Sequence, residues 1–423
     1  MSGPSTSQST ATSQSPTTSP AVSSTTVAPG LPWTPCGQVE CGEIPGTGVR
    51  TYLRRAVGDA DGVLVLLPDF EGPTARELAE QAMLMVGPAA RTMDVVAVSP
   101  RGSRDSQPLP CGTTDLMNAD PSLVAQSCIS GTSQEPERMG TLATVADLER
   151  LVEALGAGSV NVVGWGRGAT IAAAWVISHP ASVERAVLDS PDDPGSSPQR
   201  VAAANRAAED TAVARVMAWC TEHISCPLVE NAAKRTAFVR RDILNRRTGV
   251  ETAGATEASF RLAFRQVIAN GDYGAVFQAL AAAENDDYRP LVAMAAAPEW
   301  AARIAGQCSD MTPQDADAIV ADDAAFEPAP TLFRVGLGAS VPRVCTQMPE
   351  SPEPLGFLSP VKGAPHPAVQ VFVGSGDGVT SPAMVRAMAK RNGWKFRSVR
   401  ANRHLVVGHD RATTRWVSEW LGS

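Results

Sequence analysis

The sequence predicts an α/β fold in which a doubly wound, mostly parallel sheet is interrupted by an inserted helical block. Short, continuous apolar runs alternate with helical patterns over 50–191 and again after 346. Such runs are typical of parallel strands that are covered on both faces. Residues 192–345 differ, because they are rich in alanine, have helical periodicity and contain no convincing strand. We therefore expect one α/β domain with a helical insertion.

Each element follows from a local pattern. Apolar runs predict strands at 63–67, 94–98, 160–163, 183–188, 369–373 and 394–399. Helical periodicity predicts helices at 75–85, 142–155, 169–175, 382–391 and 414–421. Residues 33–191 and 346–423 form the predicted core, and 192–345 form a predicted cap over the carboxyl edge of the sheet.

Residues 1–32 are almost entirely Ser, Thr, Pro, Ala and Gln. This composition cannot bury enough apolar surface to order itself, so we expect a flexible tether outside the fold. Tethers of this kind often follow the lipid-bearing cysteine of a bacterial lipoprotein. The chain has neither a secretory h-region nor an apolar run of about 18 residues, so we expect no transmembrane helix.

The charge balance argues against a nucleic acid partner. The chain of 423 residues has 36 Lys and Arg against 44 Asp and Glu, a net charge of −8, with the two signs interspersed and no basic run. Nucleic-acid-binding domains present clustered positive charge instead.

The eight cysteines predict disulfides. They form no C-x-x-C pair and lie near no histidine cluster, which disfavours a zinc or redox site. Their proximity along the chain predicts the pairs Cys36–Cys41, Cys111–Cys128, Cys220–Cys226 and Cys308–Cys345. Disulfides imply an oxidising compartment, so we expect a secreted or cell-envelope protein. The alternative is a cytosolic protein with eight buried thiols.

The turn 164–168 joins the strand at 160–163 to the helix at 169–175. Its sequence, G-W-G-R-G, resembles the nucleophile elbow G-x-S-x-G, with Gly166 in the serine position. Glycines at both flanks let the strand and the helix pass close together. The turn is therefore built to present a nucleophile but has no side chain at its apex.

The order of landmarks resembles that of the α/β-hydrolases, in particular the secreted tripeptidyl-aminopeptidase-like (proline-iminopeptidase-related) branch found in actinobacteria. The resemblance spans about 33–423. It rests on the elbow and on these stretches: Trp33 to Cys41, 94–102 before Cys111, 179–180, 187–189, Trp219-Cys220, Cys226-Pro227, Cys308 to Asp310, Cys345 and 374–382.

The resemblance implies a catalytic triad in the chain order serine, acid, histidine. Asp377 is in the acid position after strand 369–373, and His404 after strand 394–399 is favoured over His409 for the histidine. The glycine-rich loop expected after the strand at 63–67 is replaced by a segment with Asp69 and Glu71. Two carboxylates there would oppose an oxyanion.

Loss of a triad nucleophile costs on the order of a millionfold in turnover. We therefore expect a pseudohydrolase with a vestigial Asp377–His404 pair, no cofactor or metal, and a cleft between core and cap that binds a peptide or amine. Asp69 and Glu71, placed at the rim of the cleft, would select a cationic ligand. An active exopeptidase or esterase of unusual mechanism is the alternative.

A second alternative comes from the same turn. Gly164-x-Gly166-x-x-Ala169 also fits the dinucleotide fingerprint of a Rossmann oxidoreductase, with Asp189 about 20 residues further on to bind a ribose. Two strand–helix units precede this turn, whereas the fingerprint normally follows the first strand of its sheet, so this interpretation is disfavoured.

Overall fold

A computed structural model describes residues 1, 31–111, 116, 119–130, 132–245, 254–295, 300–325, 339–364 and 366–422. The predicted tether lies almost wholly outside these residues. Within them, nine strands form one sheet in the order β1-β2-β3-β5-β4-β6-β7-β8-β9. The strands are β1 Thr34–Cys36, β2 Val39–Glu43, β3 Arg50–Arg54, β4 Val63–Leu67, β5 Asp94–Val98, β6 Val160–Trp165, β7 Val183–Asp189, β8 Ala368–Gly374 and β9 Lys395–Val399.

The sheet is parallel from β5 to β9 and antiparallel at its other end. Neighbours in the series β5-β4-β6-β7-β8-β9 pair in parallel, whereas β1, β2, β3 and β5 pair antiparallel in that order. Every residue of β4 and β5 is buried, as their continuous apolar sequences predict. The doubly wound, mostly parallel sheet is thus confirmed. The three strands before β4 were not predicted, because their alternating polar and apolar residues give only a short signal.

Helices cover both faces of the sheet and fill the chain between β7 and β8. Those flanking the sheet are α1 Ala75–Glu80, α2 Ala82–Met85, α3 Ala89–Thr92, α5 Thr141–Leu155, α6 Arg167–Ser178, α15 Pro382–Arg391 and α16 Arg411–Leu421. The remaining helix before β6, α4 Pro121–Ile129, packs against the helices between β7 and β8 instead. Those between β7 and β8 are α7 Pro198–Glu222, α8 Ala232–Asn245, α9 Glu257–Asn270, α10 Tyr273–Ala283, α11 Arg289–Met294, α12 Trp300–Asp310, α13 Pro313–Ala325 and α14 Ser340–Cys345.

The single helix predicted at 75–85 is two helices, α1 and α2. The backbone leaves helical geometry at Gln81, with φ −98° and ψ 14°. Ala79 and Ala82 on either side of the break are both fully buried. Apolar periodicity indicates which side chains face the sheet. It does not detect a break in the helix when the same face stays buried on both sides of the break.

The four predicted cysteine pairs are the four disulfides of the structure. Cys220–Cys226 and Cys308–Cys345 both lie in the helical segment between β7 and β8. That segment has its own apolar core, which includes Phe260, Phe264 and Phe277. Among the described residues, no helix is both long and apolar enough to cross a membrane.

Candidate functional site

Four parallel strands bring the predicted site residues to one edge of the sheet. Asp69 follows β4, Gly166 follows β6, Asp377 follows β8 and His404 follows β9. The carboxyl ends of parallel strands meet at the same edge, which is where α/β folds place their ligands. The structure therefore brings together residues that are up to 335 positions apart.

Gly166 retains the backbone geometry of a nucleophile elbow. Its φ is +48° and its ψ is −111°, in a region that residues with a Cβ rarely adopt. A Cβ on Gly164 would overlap the backbone of Gly168, and a Cβ on Gly168 would overlap the carbonyl group of Leu67. The flanking glycines thus serve the close strand–helix packing inferred from the sequence.

The space beside Gly166 is filled by the side chain of Asp69. A Cβ built on Gly166 would overlap Oδ1 and Cγ of Asp69. Oδ1 accepts a hydrogen bond of 2.8 Å from the backbone N–H of Arg167, the residue after the elbow apex. In an elbow of this type, that N–H helps to bind the oxyanion. One carboxylate therefore occupies both the nucleophile space and part of the oxyanion hole.

His404 lies between two carboxylates. Its Nδ1 is 2.8 Å from Oδ2 of Asp377, and its Nε2 is 3.7 Å from Oδ2 of Asp69. All three side chains are at most 8% exposed. Asp377 also accepts hydrogen bonds from the N–H groups of Val379 and Thr380. The predicted Asp377–His404 pair is thus formed, with Asp69 as a third member.

The protonation of this triad follows from its burial and charges. Burial opposes a charged imidazole, but Asp377 and Asp69 outweigh it and hold the pKa of His404 well above its usual value. Burial likewise opposes a charged Asp69, but the His404 imidazolium, Arg303 and the Arg167 N–H hold the pKa of that carboxyl well below its usual range. These shifts favour an imidazolium at His404 and a carboxylate at Asp69 at neutral pH. An imidazolium cannot accept a proton, so His404 is not a general base in this state.

The alternative histidine, His409, has no such partner among the described residues. Partial desolvation of its ring, together with the positive charges of Arg403 and His404, lowers its pKa to about 4. No carboxylate of the described chain is paired with it. The geometry therefore favours His404.

Glu71 is not available at the rim of the cleft to bind a cationic ligand, contrary to the expectation from the sequence. Its Oε1 accepts a hydrogen bond of 2.7 Å from Nε of Arg265, in α9, and a second one from the guanidinium of Arg303, in α12. Burial would raise the pKa of Glu71, but the two guanidinium groups lower it on balance. The sequence could not reveal these partners, because they come from helices about 200 residues away.

Further ion pairs join the elbow to the helical segment. The guanidinium of Arg167 pairs with Asp310 of α12, whose carboxylate also accepts hydrogen bonds of 2.6 Å and 2.7 Å from the N–H and hydroxyl groups of Thr141. Arg167 and Arg303 both lie over the ring of Phe70, at 5.7 Å and 5.1 Å. The loop with Asp69 is thus held by two cations.

These residues border a cavity of about 250 Å³. Its wall includes Asp69, Gly166 and His404 from the sheet edge, and Asp192 and Glu209 from the chain that follows β7. The last two acids were missed in the sequence, since neither belongs to a motif.

Asp192 and Glu209 differ from the other carboxylates of the wall. Burial raises the pKa of Glu209 to about 7, although Arg265 and Arg261 oppose the shift. Burial also raises the pKa of Asp192, whose Oδ1 accepts a hydrogen bond of 2.8 Å from the Asn205 amide. In the part of the chain that the structure describes, neither forms an ion pair within 4.0 Å.

Asp189 does not lie where the dinucleotide interpretation requires. It is fully buried, and its Oδ2 accepts two hydrogen bonds of 2.7 Å from the N–H groups of Val406 and Val407. This carboxylate supports the loop that carries His404 and cannot reach a ribose. Over the described residues, no group of three or more His, Cys, Asp or Glu side chains is placed to bind a metal ion.

Several solved structures are similar to this chain at low sequence identity. A proline iminopeptidase-related protein of Thermus thermophilus is 16% identical, with 93% of this chain and 96% of that chain covered and a TM-score of 0.38. The proline iminopeptidase of Mycobacterium smegmatis is also 16% identical, with coverage of 93% and 97% and a TM-score of 0.38. An acetylester hydrolase of Corynebacterium glutamicum is 13% identical, with 91% of each chain covered and a TM-score of 0.42.

No curated protein matches the chain. The family model of the alpha/beta hydrolase fold matches residues 70–407, which is most of the chain. The strand, turn and helix around Gly166 and most of the parallel part of the sheet lie inside the matched region. The chain therefore belongs to the α/β-hydrolase fold family.

Proposed function

We propose that this protein is an exported member of the tripeptidyl-aminopeptidase-like branch that performs no serine-type acyl transfer and binds a cationic ligand, a peptide amino terminus or another amine. The observation that carries the proposal is the charge pattern of the cavity. At the sheet edge, Asp69 is paired with His404. In the helical part of the wall, Glu209 has no ion-pair partner among the described residues.

The expected lack of activity toward peptides and esters follows from the residues at the sheet edge. Gly166 offers no nucleophile, and the Arg167 N–H that would bind an oxyanion already donates to Asp69. Removing a single oxyanion-hole donor costs about 10²–10³ in turnover, in addition to the loss of the nucleophile. His404, as an imidazolium, cannot activate a water in place of a serine.

The preference for a cation follows from the other acids of the wall. A carboxylate that is half protonated near neutral pH gains most from a positive partner, because ionisation in a buried site without one is costly. Asp192 adds a second carboxyl group of the same kind. Glu209 and Asp192 therefore replace the pair Asp69 and Glu71 as the groups that select the ligand.

Export is supported by the four disulfides, since such bonds persist mainly in oxidising compartments. We also propose the role of 1–32 as an envelope tether and of 192–345 as a cap domain.

Calorimetry with matched ligands tests the proposal. We expect a tripeptide with a free amino terminus to bind and its N-acetyl counterpart to bind far more weakly. Glu209→Gln should weaken binding of the free peptide, whereas Glu222→Gln, an exposed acid on the same helix, should not. Affinity should fall as the pH is lowered below about 7, because Glu209 becomes protonated, and it should fall as salt rises.

Two results would contradict this function. The first is equal affinity for the free and acetylated peptides, which would exclude recognition of the amine. The second is labelling by a fluorophosphonate, or release of an amine from the bound tripeptide, because either requires acyl-transfer chemistry that this site lacks.

A further inference from the structure

We propose that the ligand of the cavity is a zwitterion, a short peptide with a free amino group and a free carboxylate, and that Arg303 and Gln307 of α12 bind the carboxylate. This inference rests on the proposed function, which assigns the amino group to Glu209 and Asp192. It adds a second subsite of opposite charge, and so narrows the class of ligand.

One face of α12 forms part of the cavity wall. Arg303, Gln307 and, just past the end of the helix, Met311 all line the cavity, and they are spaced four residues apart. Residues at this spacing are neighbours on one side of a helix, with about 5–6 Å between their Cβ atoms. The side chains of Arg303 and Gln307 can therefore contact the same carboxylate of a ligand.

Arg303 has more hydrogen-bond donors than the described protein uses. A guanidinium has several N–H groups. Within the described residues, Arg303 donates one hydrogen bond, from Nη2 to Glu71, and its Nε is buried without a hydrogen-bond partner. The ring of Phe70 attracts the charge from 5.1 Å but is not a carbonyl or carboxylate acceptor. The side chain is only 7% exposed, so its unused donors need acceptors inside the cavity.

The charge of Arg303 is only partly compensated inside the protein. One carboxylate, Glu71, accepts hydrogen bonds from both Arg303 and Arg265. Burial opposes the charge of Arg265, but Glu71 outweighs it and raises the pKa of that guanidinium. Burial keeps the pKa of Arg303 lowered, despite the attraction of nearby carboxyl groups. Since a guanidinium stays charged at neutral pH, a ligand carboxylate stabilises Arg303 without replacing an internal pair.

Gln307 supplies the second contact. Its side chain is partly buried, and its amide forms no hydrogen bond with any residue that the structure describes. The amide nitrogen can donate to a carboxylate oxygen, and the amide has no charge that would neutralise Arg303. A glutamate at this position would pair with Arg303 and close the subsite to an anion.

The two subsites lie on different elements around one small cavity. Glu209 belongs to α7 and Asp192 to the chain after β7, whereas Arg303 and Gln307 belong to α12. The cavity volume of about 250 Å³ is below the roughly 300–1,000 Å³ of pockets that hold drug-sized ligands. A ligand that contacts both subsites in this volume is short. Both of its charged ends therefore belong to one small peptide, and the cavity does not select the amino terminus of a long chain.

Calorimetry with four forms of trialanine tests the two subsites separately. The forms combine a free or an acetylated amino end with a free carboxylate or a carboxamide. In the unaltered protein, we expect the change from carboxylate to carboxamide to weaken binding about 10- to 100-fold, as for the loss of a charge-assisted hydrogen bond. This comparison needs no variant. Acetylation tests the amine recognition of the proposed function in the same experiment.

Gln307→Glu keeps the shape of the side chain and places a negative charge beside Arg303. We expect it to weaken binding of trialanine about tenfold or more, because like charges then meet, and to leave binding of the carboxamide within about twofold. Gln347→Glu makes the same change at an exposed position outside the cavity wall and should alter neither affinity.

Three outcomes would overturn the proposal. Equal affinity for the carboxylate and the carboxamide in the unaltered protein excludes the subsite, even if acetylation still weakens binding. A Gln307→Glu variant that keeps its preference for the carboxylate shows that the carboxylate binds elsewhere. Absence of binding by all four forms at millimolar concentration excludes the peptide class. The reverse pattern, in which amidation weakens binding but acetylation does not, contradicts the proposed amine recognition and with it the zwitterion, but retains the carboxylate subsite.

Discussion

Two parts of the cavity wall treat charge differently. In the part formed by the sheet edge and its loops, Asp69 and Asp377 flank one imidazolium, and Glu71 is held by two guanidinium groups. In the part formed by α7, Glu209 has no cation within ion-pair distance among the described residues. In the first part, each of these carboxylates is therefore compensated by a cationic side chain of the protein. The second part keeps one buried carboxyl group without an ion pair to the described residues, and this is the group to which we assign the proposed cationic ligand.

The largest effect is expected where the internal pairs of the sheet edge are broken. His404→Ala would leave Asp69 and Asp377 buried without their shared cation, and breaking a buried pair typically costs about 3–5 kcal/mol. Urea unfolding at pH 7 measures the loss of stability. His409→Ala, further along the same loop, should change the free energy of unfolding by less than about 0.5 kcal/mol. Equal effects of the two variants would mean that the triad is not the source of stability.

The disulfide Cys308–Cys345 ties α12, which carries Arg303, to α14. It closes a loop with a sequence separation of 37, so its removal should cost about 4 kcal/mol, whereas Cys220–Cys226, with a separation of 6, should cost about 2 kcal/mol. Thermal unfolding of two variants, each with both cysteines of one disulfide replaced by serine, shows which disulfide contributes more to stability. A larger effect of the shorter loop would contradict the chain-entropy account.

Gly166→Ser tests whether the serine site can be restored beside Asp69. The new side chain would meet the Asp69 carboxylate at a positive φ, so we expect a loss of about 1–3 kcal/mol and no fluorophosphonate labelling. In Gly166→Ser/Asp69→Gly the overlap is gone, and labelling should appear, although weakly. The free energies of unfolding of the two single variants and the double variant complete a double-mutant cycle. Additive losses of stability would show that the two positions do not interact.

The smallest effect is expected at the acid that lacks an internal partner. Glu209 has a pKa of about 7 when folded and an ordinary one of 4.5 when unfolded. The folded chain therefore binds more protons between these values, and this group makes stability fall as the pH rises from 4.5 to 7. Glu209→Gln should match the parent at pH 5 and exceed its stability by roughly 1 kcal/mol at pH 6, with the difference still growing up to pH 7. A pH-independent difference, or the same gain from Glu222→Gln, would count against this.

The sequence predicted the parts of the site that depend on local pattern. The glycines at 164 and 168, the acid at 377 and the histidine at 404 lie in short motifs next to strong strands, and each is at the expected edge of the sheet. The cysteine pairs were predictable because each partner is close along the chain. Local spacing was enough for the glycines and the cysteine pairs, whereas the assignment of Asp377 and His404 came from the resemblance to the α/β-hydrolases.

The contacts of Asp69 and Glu71 were not predictable in the same way. Both were expected at the rim, but Asp69 turns inward to Gly166 and Glu71 turns to Arg265 and Arg303. The direction of Glu71 depends on helices about 200 residues away, which no local pattern encodes. Glu209 was missed for a similar reason, because its significance comes from its burial in the cavity wall without an ion pair to the described residues.

The overlap between Asp69 and the side-chain position of Gly166 also limits which sequence changes can install a serine at this turn. A serine introduced alone meets a carboxylate and a blocked N–H, and a glycine introduced alone at 69 leaves His404 without one of its anions. We expect neither single change to give a working serine site, so serine chemistry at this turn requires both changes together. The packing at this turn therefore couples positions 69 and 166, and we expect them to change together in evolution.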